Sequence, residues 1–268
     1  MNVRVFRGEQ PVPALSPADR GLAYGDGLFE TLLAVDGDIP WWHAHWRRLS
    51  TGAARLGITP PDEAFLRSAA DDLLGQGRQV LKLILTRGES GRGYLPADGP
   101  PTSILSVHPA PAAEEAPLAL HWCETPVARQ PALAGLKHLN RLENVLARAE
   151  CERVGRAEGL MCDEQGYVRC ATAANVFALI DSVWHTPDAA LGGVAGVARA
   201  QLLALEPGIR VAELSRLMLE NAEAVFLSNA VRGMMAVDRI GETAFARSAA
   251  FDTLKQRFLA TYPAFARD

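Results

Sequence analysis

The sequence predicts two α/β domains, on three observations. Strand-like and helix-like segments alternate over most of the chain. A stretch rich in proline and alanine, His108 to Pro117, has no apolar periodicity and reads as a linker. The length, 268 residues, suits one large core or two smaller ones. The expected division is therefore 1–107 for an N-terminal domain, 108–117 for the linker and 118–268 for a C-terminal domain. No internal repeat is visible.

Taken in order, Val3 to Gln10 alternates and ends at a turn, as half of a hairpin does. Asp19 to Gly27 is broken by glycines and leads into an extended apolar run ending at the Asp36-Gly37 turn. His43 to Leu56 reads as a helix closed by Gly57, and Pro60-Pro61-Asp62 opens another that runs to about Leu74. Val80 to Thr86 is a buried strand delivering the glycine-rich loop Arg87 to Tyr94, and Ile104 to Val107 is the last strand of the first domain. Beyond the linker, Leu118 to Trp122 restarts strand character. A hairpin turns around Glu164-Gln165-Gly166, and Asn175 to Ile180 continues the sheet. The glycine-rich turn from Leu191 enters a helix, Ala224 to Ala230 is a strand ending in polar residues, and Phe251 to Leu259 is an amphipathic C-terminal helix.

Composition excludes more than it assigns. A net charge of −4 and a pI near 5.9 give no support to nucleic acid or an anionic membrane as partner. No apolar run is long enough for a bilayer span, and the N-terminus lacks the apolar core of a signal peptide. Cys123, Cys151, Cys162 and Cys170 form no closely spaced pair, so free thiols in a reducing cytoplasm are expected. His43 and His45, two apart, do not share a helix face, so no metal site is expected from them.

The segment Gly135 to Leu146 carries the chemistry. Lys137 stands just before Leu139, Leu142, Val145 and Leu146, whose three- and four-residue spacing predicts a helix packed on a core. A lysine at that boundary can lose solvation, which favours the neutral amine needed to condense with an aldehyde; a solvated lysine beside a helix start is the other reading. In the same way Arg87, Arg92 and Tyr94 read either as an anion-recognising loop or as a solvated surface loop.

Gly-Leu-Lys-His-Leu-Asn-Arg-Leu-Glu from Gly135, Arg-Gly-x-x-Tyr-Gly-Asp-Gly-x-Phe-Glu from Arg20 and Arg-Gly-x-x-Gly-Arg-Gly-Tyr from Arg87 resemble the fold-type IV pyridoxal-phosphate family. That family includes branched-chain and D-amino-acid aminotransferases and aminodeoxychorismate lyases, and the segments from Gly135 and Arg87 resemble the lyase branch more specifically than the one from Arg20 does. The resemblance implies two α/β domains with pyridoxal 5'-phosphate between them, in a homodimer. It also implies elimination of pyruvate from 4-amino-4-deoxychorismate to give 4-aminobenzoate. Lys137 would then carry the cofactor. Arg48, the arginine of the His-x-x-Arg-Leu pattern, would bind phosphate together with the amides of Val197 and Ala198 and with Asn229. Arg92 and Tyr94, helped by Arg87, would orient substrate carboxylates. The chain departs from the family at Cys170, where a glutamate should meet the pyridine nitrogen. A thiol cannot hold a pyridinium as a carboxylate does. This expectation weakens an aminotransferase and leaves a lyase or a non-catalytic ligand-binding relative.

Overall fold

The computed structural model describes residues 3–96, 98–112 and 116–266. The chain divides into two compact units, Met1–Pro111 with Leu136–Asn140, and Ala112–Gly135 with Arg141–Asp268.

The first unit is an antiparallel sheet of β1 (Val3–Arg7), β2 (Gln10–Val12), β3 (Gly27–Val35), β4 (Arg78–Thr86) and β5 (Thr102–Pro109), in the order β2-β1-β5-β4-β3. Three helices accompany it: α1 (Arg20–Tyr24), α2 (Trp42–Leu56) and α3 (Glu63–Asp71). The core is built from Leu32 on β3, Leu81 and Leu85 on β4, Leu105 on β5, Leu49 on α2 and Leu66 on α3. Gly57 closes α2 with a positive φ of 65°, so that its own amide and that of Ile58 reach the carbonyls of Ala54 and Ala53. Asp62 caps α3 through the amides of Ala64 and Phe65, as the sequence predicts.

The second unit holds a mixed ten-stranded sheet. Its strands are β6 (Leu118–Trp122), β7 (Glu158–Cys162), β8 (Tyr167–Ala171), β9 (Asn175–Ile180), β10 (Val183–Thr186), β11 (Arg210–Val211), β12 (Leu214–Ser215), β13 (Ala224–Asn229), β14 (Gly233–Ile240) and β15 (Thr243–Ala244). Strand β6 runs parallel to both its neighbours, β7 and β14. Four helices complete the unit: α4 (Leu142–Arg153), α5 (Val197–Leu205), α6 (Arg216–Glu220) and α7 (Ala249–Thr261). Phe226 is fully buried, stacked on Phe177 at 4.6 Å, with the edge of Trp184 at 4.8 Å and Phe251 on α7 at 5.5 Å. These rings join the sheet to the C-terminal helix.

Four expectations change. The lysine segment is extended, not helical, and α4 starts only at Leu142, after Arg141. Leu142, Val145 and Leu146 are exposed, and α4 buries Ala147, Glu150 and Cys151 instead. The apolar residues at helical spacing therefore lie away from the buried face. Lys137 belongs to the first unit, not the C-terminal domain, because Leu136–Asn140 pairs with β3. Proline and alanine at 108–111 do not end the first unit, since β5 runs through His108 to Pro109; within the expected linker, 113–115 lie outside the described residues. Finally, the glycine-broken stretch before β3 holds a helix, α1, capped by the Asp19 carboxylate on the Gly21 amide.

Phe226→Ala is expected to lower unfolding stability by about 3–5 kcal/mol, since it removes a ring the packing cannot refill. Denaturant unfolding followed by tryptophan fluorescence measures it. A loss below about 1 kcal/mol would show that the aromatic stack does not hold α7 to the sheet.

Candidate active site

In the first unit the site is built around β3. The Phe29 amide donates to the Lys137 carbonyl at 2.9 Å and the Leu139 amide to the Gly27 carbonyl at 3.0 Å. Leu28 lies opposite His138 in an antiparallel bridge. This short ladder places the Lys137 side chain over the neighbouring strand, with Nζ 4.2 Å from the centre of the Phe29 ring. On β3 alternate residues face opposite sides of the sheet, and Glu30, next to Phe29, is buried against α2.

His45 and Arg48, three residues apart, share a face of α2 and both meet Glu30. His45 Nδ1 is 2.6 Å from Glu30 Oε2; Arg48 donates from Nε to Oε1 at 2.8 Å and from Nη2 to Oε2. Burial by itself would raise the Glu30 pKa, but the Arg48 charge and the His45 and Arg48 hydrogen bonds outweigh it and hold the group at about 2. Burial pushes His45 below its ordinary value, against the pull of Glu30, and Arg48 and Lys137 push it the same way. Glu30 and Arg48 thus form a buried ion pair beside a histidine that favours its neutral form.

The loop after β4 is fastened from below by Arg20. That guanidinium is buried and bonds Asp26 at 2.8 Å, the Gly93 and Tyr94 carbonyls at 3.0 Å each and Ser90 Oγ at 3.0 Å. Sequence reasoning passed over Arg20, Glu30 and His45. The acid–base spacing of Arg20 with Asp26, and of Glu30 with the His45-x-x-Arg48 pair, was the available signal. Of the predicted carboxylate-binding residues, Arg92 is exposed and Tyr94 is 86% exposed, its ring tilted toward Tyr24 at 5.5 Å. Arg87 is not brought together with them. All three of its nitrogens are engaged, Nε and Nη2 on Asp26, Nη1 on the Gly57 carbonyl at 2.9 Å and Nη2 on the Leu56 carbonyl at 2.5 Å. It closes the C-terminus of α2 and ties it to Asp26.

The second unit carries the other cluster. Cys170 on β8 is opposite Met161 and packs with Val127 and Ala147. Burial pushes its thiol up to about 12, so it is a neutral S–H. The loop before α5 is tied down by main-chain bonds, Gly135 N to Gly193 O at 3.1 Å and Ala195 N to Gly135 O at 3.0 Å. Asn175 Nδ2 donates to the Val194 carbonyl at 2.9 Å, and a side chain on Gly196 would strike Asn175 Oδ1 at 1.9 Å. Gly196 precedes Val197, where α5 begins without any side-chain cap. The first-turn amides, those of Val197 and Ala198 included, are therefore set for an anion. Arg199 lies buried one turn on and holds the Pro187 carbonyl at 2.9 Å. Asn229 closes its own turn: its Oδ1 accepts from Val231 N at 3.1 Å and Arg232 N at 2.8 Å. No group of three or more histidine, cysteine, aspartate or glutamate side chains suited to a metal ion occurs among the described residues.

The donor set suits pyridoxal phosphate on two counts: a lysine amine held in place by a main-chain ladder, and an uncapped helix start whose glycine cannot take a Cβ. At the pyridine nitrogen it suits only the unprotonated ring, because a neutral thiol offers a proton and no charge.

A model of the amino-transferase class IV family matches residues 27–240. An aminodeoxychorismate lyase of Vibrio harveyi is 35% identical over 83% of this chain and 86% of its own. A crystal structure of 4-amino-4-deoxychorismate lyase from Pseudomonas aeruginosa is 41% identical with a TM-score of 0.88, covering 97% of this chain and 98% of the other. The branched-chain amino acid aminotransferase of Escherichia coli shares the fold at a TM-score of 0.87 and 20% identity, over 99% of this chain and 96% of its own.

Glu30 has a depressed pKa, so its stabilising contribution is complete above 4.5 and is lost as pH falls toward about 2. His45 adds to the loss in acid, because the unfolded chain takes up its proton below 6.5 before the folded one does. Glu30→Gln is expected to cost about 3–5 kcal/mol at neutral pH by removing the buried carboxylate charge that Arg48 and His45 both bond. It should also flatten the decline between pH 4.5 and about 2. Urea midpoints across pH 2–7 measure both, and an unchanged acid slope would remove Glu30 as the responsible group.

Proposed function

This chain belongs to the amino-transferase class IV family, and we propose that within it the chain is a pyridoxal-phosphate-dependent lyase, eliminating pyruvate from 4-amino-4-deoxychorismate to give 4-aminobenzoate, a folate precursor. The observation that carries this reading is Lys137, fixed beside β3 by backbone bonds in the Lys-His-Leu-Asn-Arg-Leu-Glu segment. Pyridoxal phosphate is the cofactor of the family. We assign it to Lys137 at the aldehyde, to the Val197 and Ala198 amides at the phosphate, and to Cys170 at the pyridine nitrogen. Arg48 comes to the phosphate already paired with Glu30, so it contributes orientation more than net charge. Asn229 supports the same phosphate loop through the turn it closes.

When bound, the cofactor supplies an electron sink for the pair left by a departing proton. Lys137 Nζ takes the proton from the amine-bearing carbon of the substrate. It, or a water it holds, then gives a proton to the departing enolpyruvyl group as the C–O bond breaks and the ring becomes aromatic. Phe29 beneath Nζ limits the directions the amine can take. Arg92 and Tyr94 meet the two carboxylates of the substrate from their exposed loop. The neutral thiol of Cys170 favours the lyase over the transaminases of the family: aromatisation drives the elimination, whereas transamination depends on a strong, protonated sink. A cytoplasmic homodimer is the assembly we propose for it.

Added pyridoxal phosphate is expected to give a visible absorption band that Lys137→Ala abolishes, with loss of lyase turnover by a factor of about 10³ or more. A parent protein without the band would mean a lost or altered site, and a mutant with both band and turnover would remove Lys137. Arg92→Ala should raise KM for the dicarboxylate substrate about tenfold with folding intact. Arg87→Ala should instead lower the melting temperature, and a pure KM effect there would make it a substrate ligand.

A further inference from the structure

Cys123 and Cys151 stand 28 positions apart in sequence, with their sulfurs 3.8 Å apart. Cys123 follows β6 directly and is half-buried; Cys151 lies on the buried face of α4. The apposition is built in. A side chain on Gly159 of β7 would stand 2.6 Å from both sulfurs, so the pair occupies the space that this glycine leaves open. A second feature beside it fixes the same junction. Glu150, next to Cys151, accepts from the amides of Glu124 and Thr125, next to Cys123, at 2.6 and 3.0 Å, and from Thr125 Oγ1. A carboxylate clamp thus already holds the two backbones that a sulfur–sulfur bond would join. Cys162 and Cys170 have no such arrangement.

We propose that Cys123 and Cys151 form a reversible dithiol–disulfide couple that locks α4 to the end of β6, with low-molecular-weight disulfides as the oxidant class. The half-buried Cys123 thiolate attacks one sulfur of the oxidant, and the S–S bond of the oxidant breaks to release one thiolate. Cys151, deprotonated in turn, attacks the Cys123 sulfur of the mixed disulfide and expels the second thiolate. Each thiol of the protein loses one proton, the pair loses two electrons, and one molecule of oxidant becomes two thiols. Burial, then the adjacent Cys151 and the carboxylates of Glu150 and Glu158, raise the Cys123 thiol, and burial raises Cys151 as well, so formation accelerates as pH rises. Closing the bond restricts the freedom of the unfolded chain.

The test uses the full chain loaded with pyridoxal phosphate and incubated with oxidised glutathione at pH 8.5, then assayed for thiols in denaturant and mapped by peptide mass spectrometry. The expected result is loss of two of the four thiols, a Cys123–Cys151 cross-linked peptide and a melting temperature raised by about 5 °C, all reversed by dithiothreitol. Cys123→Ser should keep its three remaining thiols and its melting temperature under the same oxidant. Four surviving thiols, glutathione retained on Cys123 alone, or an equal rise in Cys123→Ser would each overturn the couple.

Discussion

Two main-chain hydrogen bonds between Gly27-Leu28-Phe29 and Lys137-His138-Leu139 set where the Lys137 backbone lies. A lysine side chain has four rotatable bonds, and nothing in its own chemistry fixes its Nζ. The backbone ladder fixes where the side chain starts, by making the lysine residue part of an extended edge rather than of a helix. Backbone bonds at a strand edge constrain position without depending on the neighbouring side chains. The Phe29 ring then meets the amine from below, because side chains on an extended segment stand off the sheet at fixed intervals.

Electrostatics arranges the surroundings in two different ways. In the first unit a full negative charge is kept on Glu30 inside the fold, and its cost is offset by Arg48 and His45 together. This joins β3 to α2 and keeps the face under the lysine segment rigid. In the second unit the notable group is uncharged. Cys170 sits among Met161, Val127 and Ala147, an apolar setting in which a carboxylate would need a cationic partner to remain ionised. The neutral thiol carries no charge for that setting to oppose.

Much of this was legible in the sequence, for physical reasons that differ by element. Helix α2 announced both ends, with Gly57 in the left-handed conformation its C-terminus demands. Strands β6 and β13 were visible as bounded apolar runs, and Gly196 marked the entry to α5. The lysine segment misled because Leu139, Leu142, Val145 and Leu146 repeat with helical spacing, yet periodicity reports a helix face without saying what covers it. Leu142, Val145 and Leu146 lie on a surface exposed in the chain as described. Arginine beside glycine, as at Arg87, suits a carboxylate ligand and a helix-end clamp equally well, and its bonds to the Leu56 and Gly57 carbonyls were not legible in the sequence. The meeting of Cys123 and Cys151 was invisible, since two residues 28 positions apart carry no record of where a sheet will return.

Arg20 grips its loop mostly by main-chain carbonyls, those of Gly93 and Tyr94, and carbonyls are the same whatever side chain stands above them. The loop's path is therefore separable from its chemistry. Outward-facing residues such as Tyr94 and Leu95 can be exchanged for others while the anchor beneath continues to set the backbone course. The fold in this way offers a place where the side chains of a loop can diverge, among descendants or in the hands of an engineer, without the sheet having to be rebuilt.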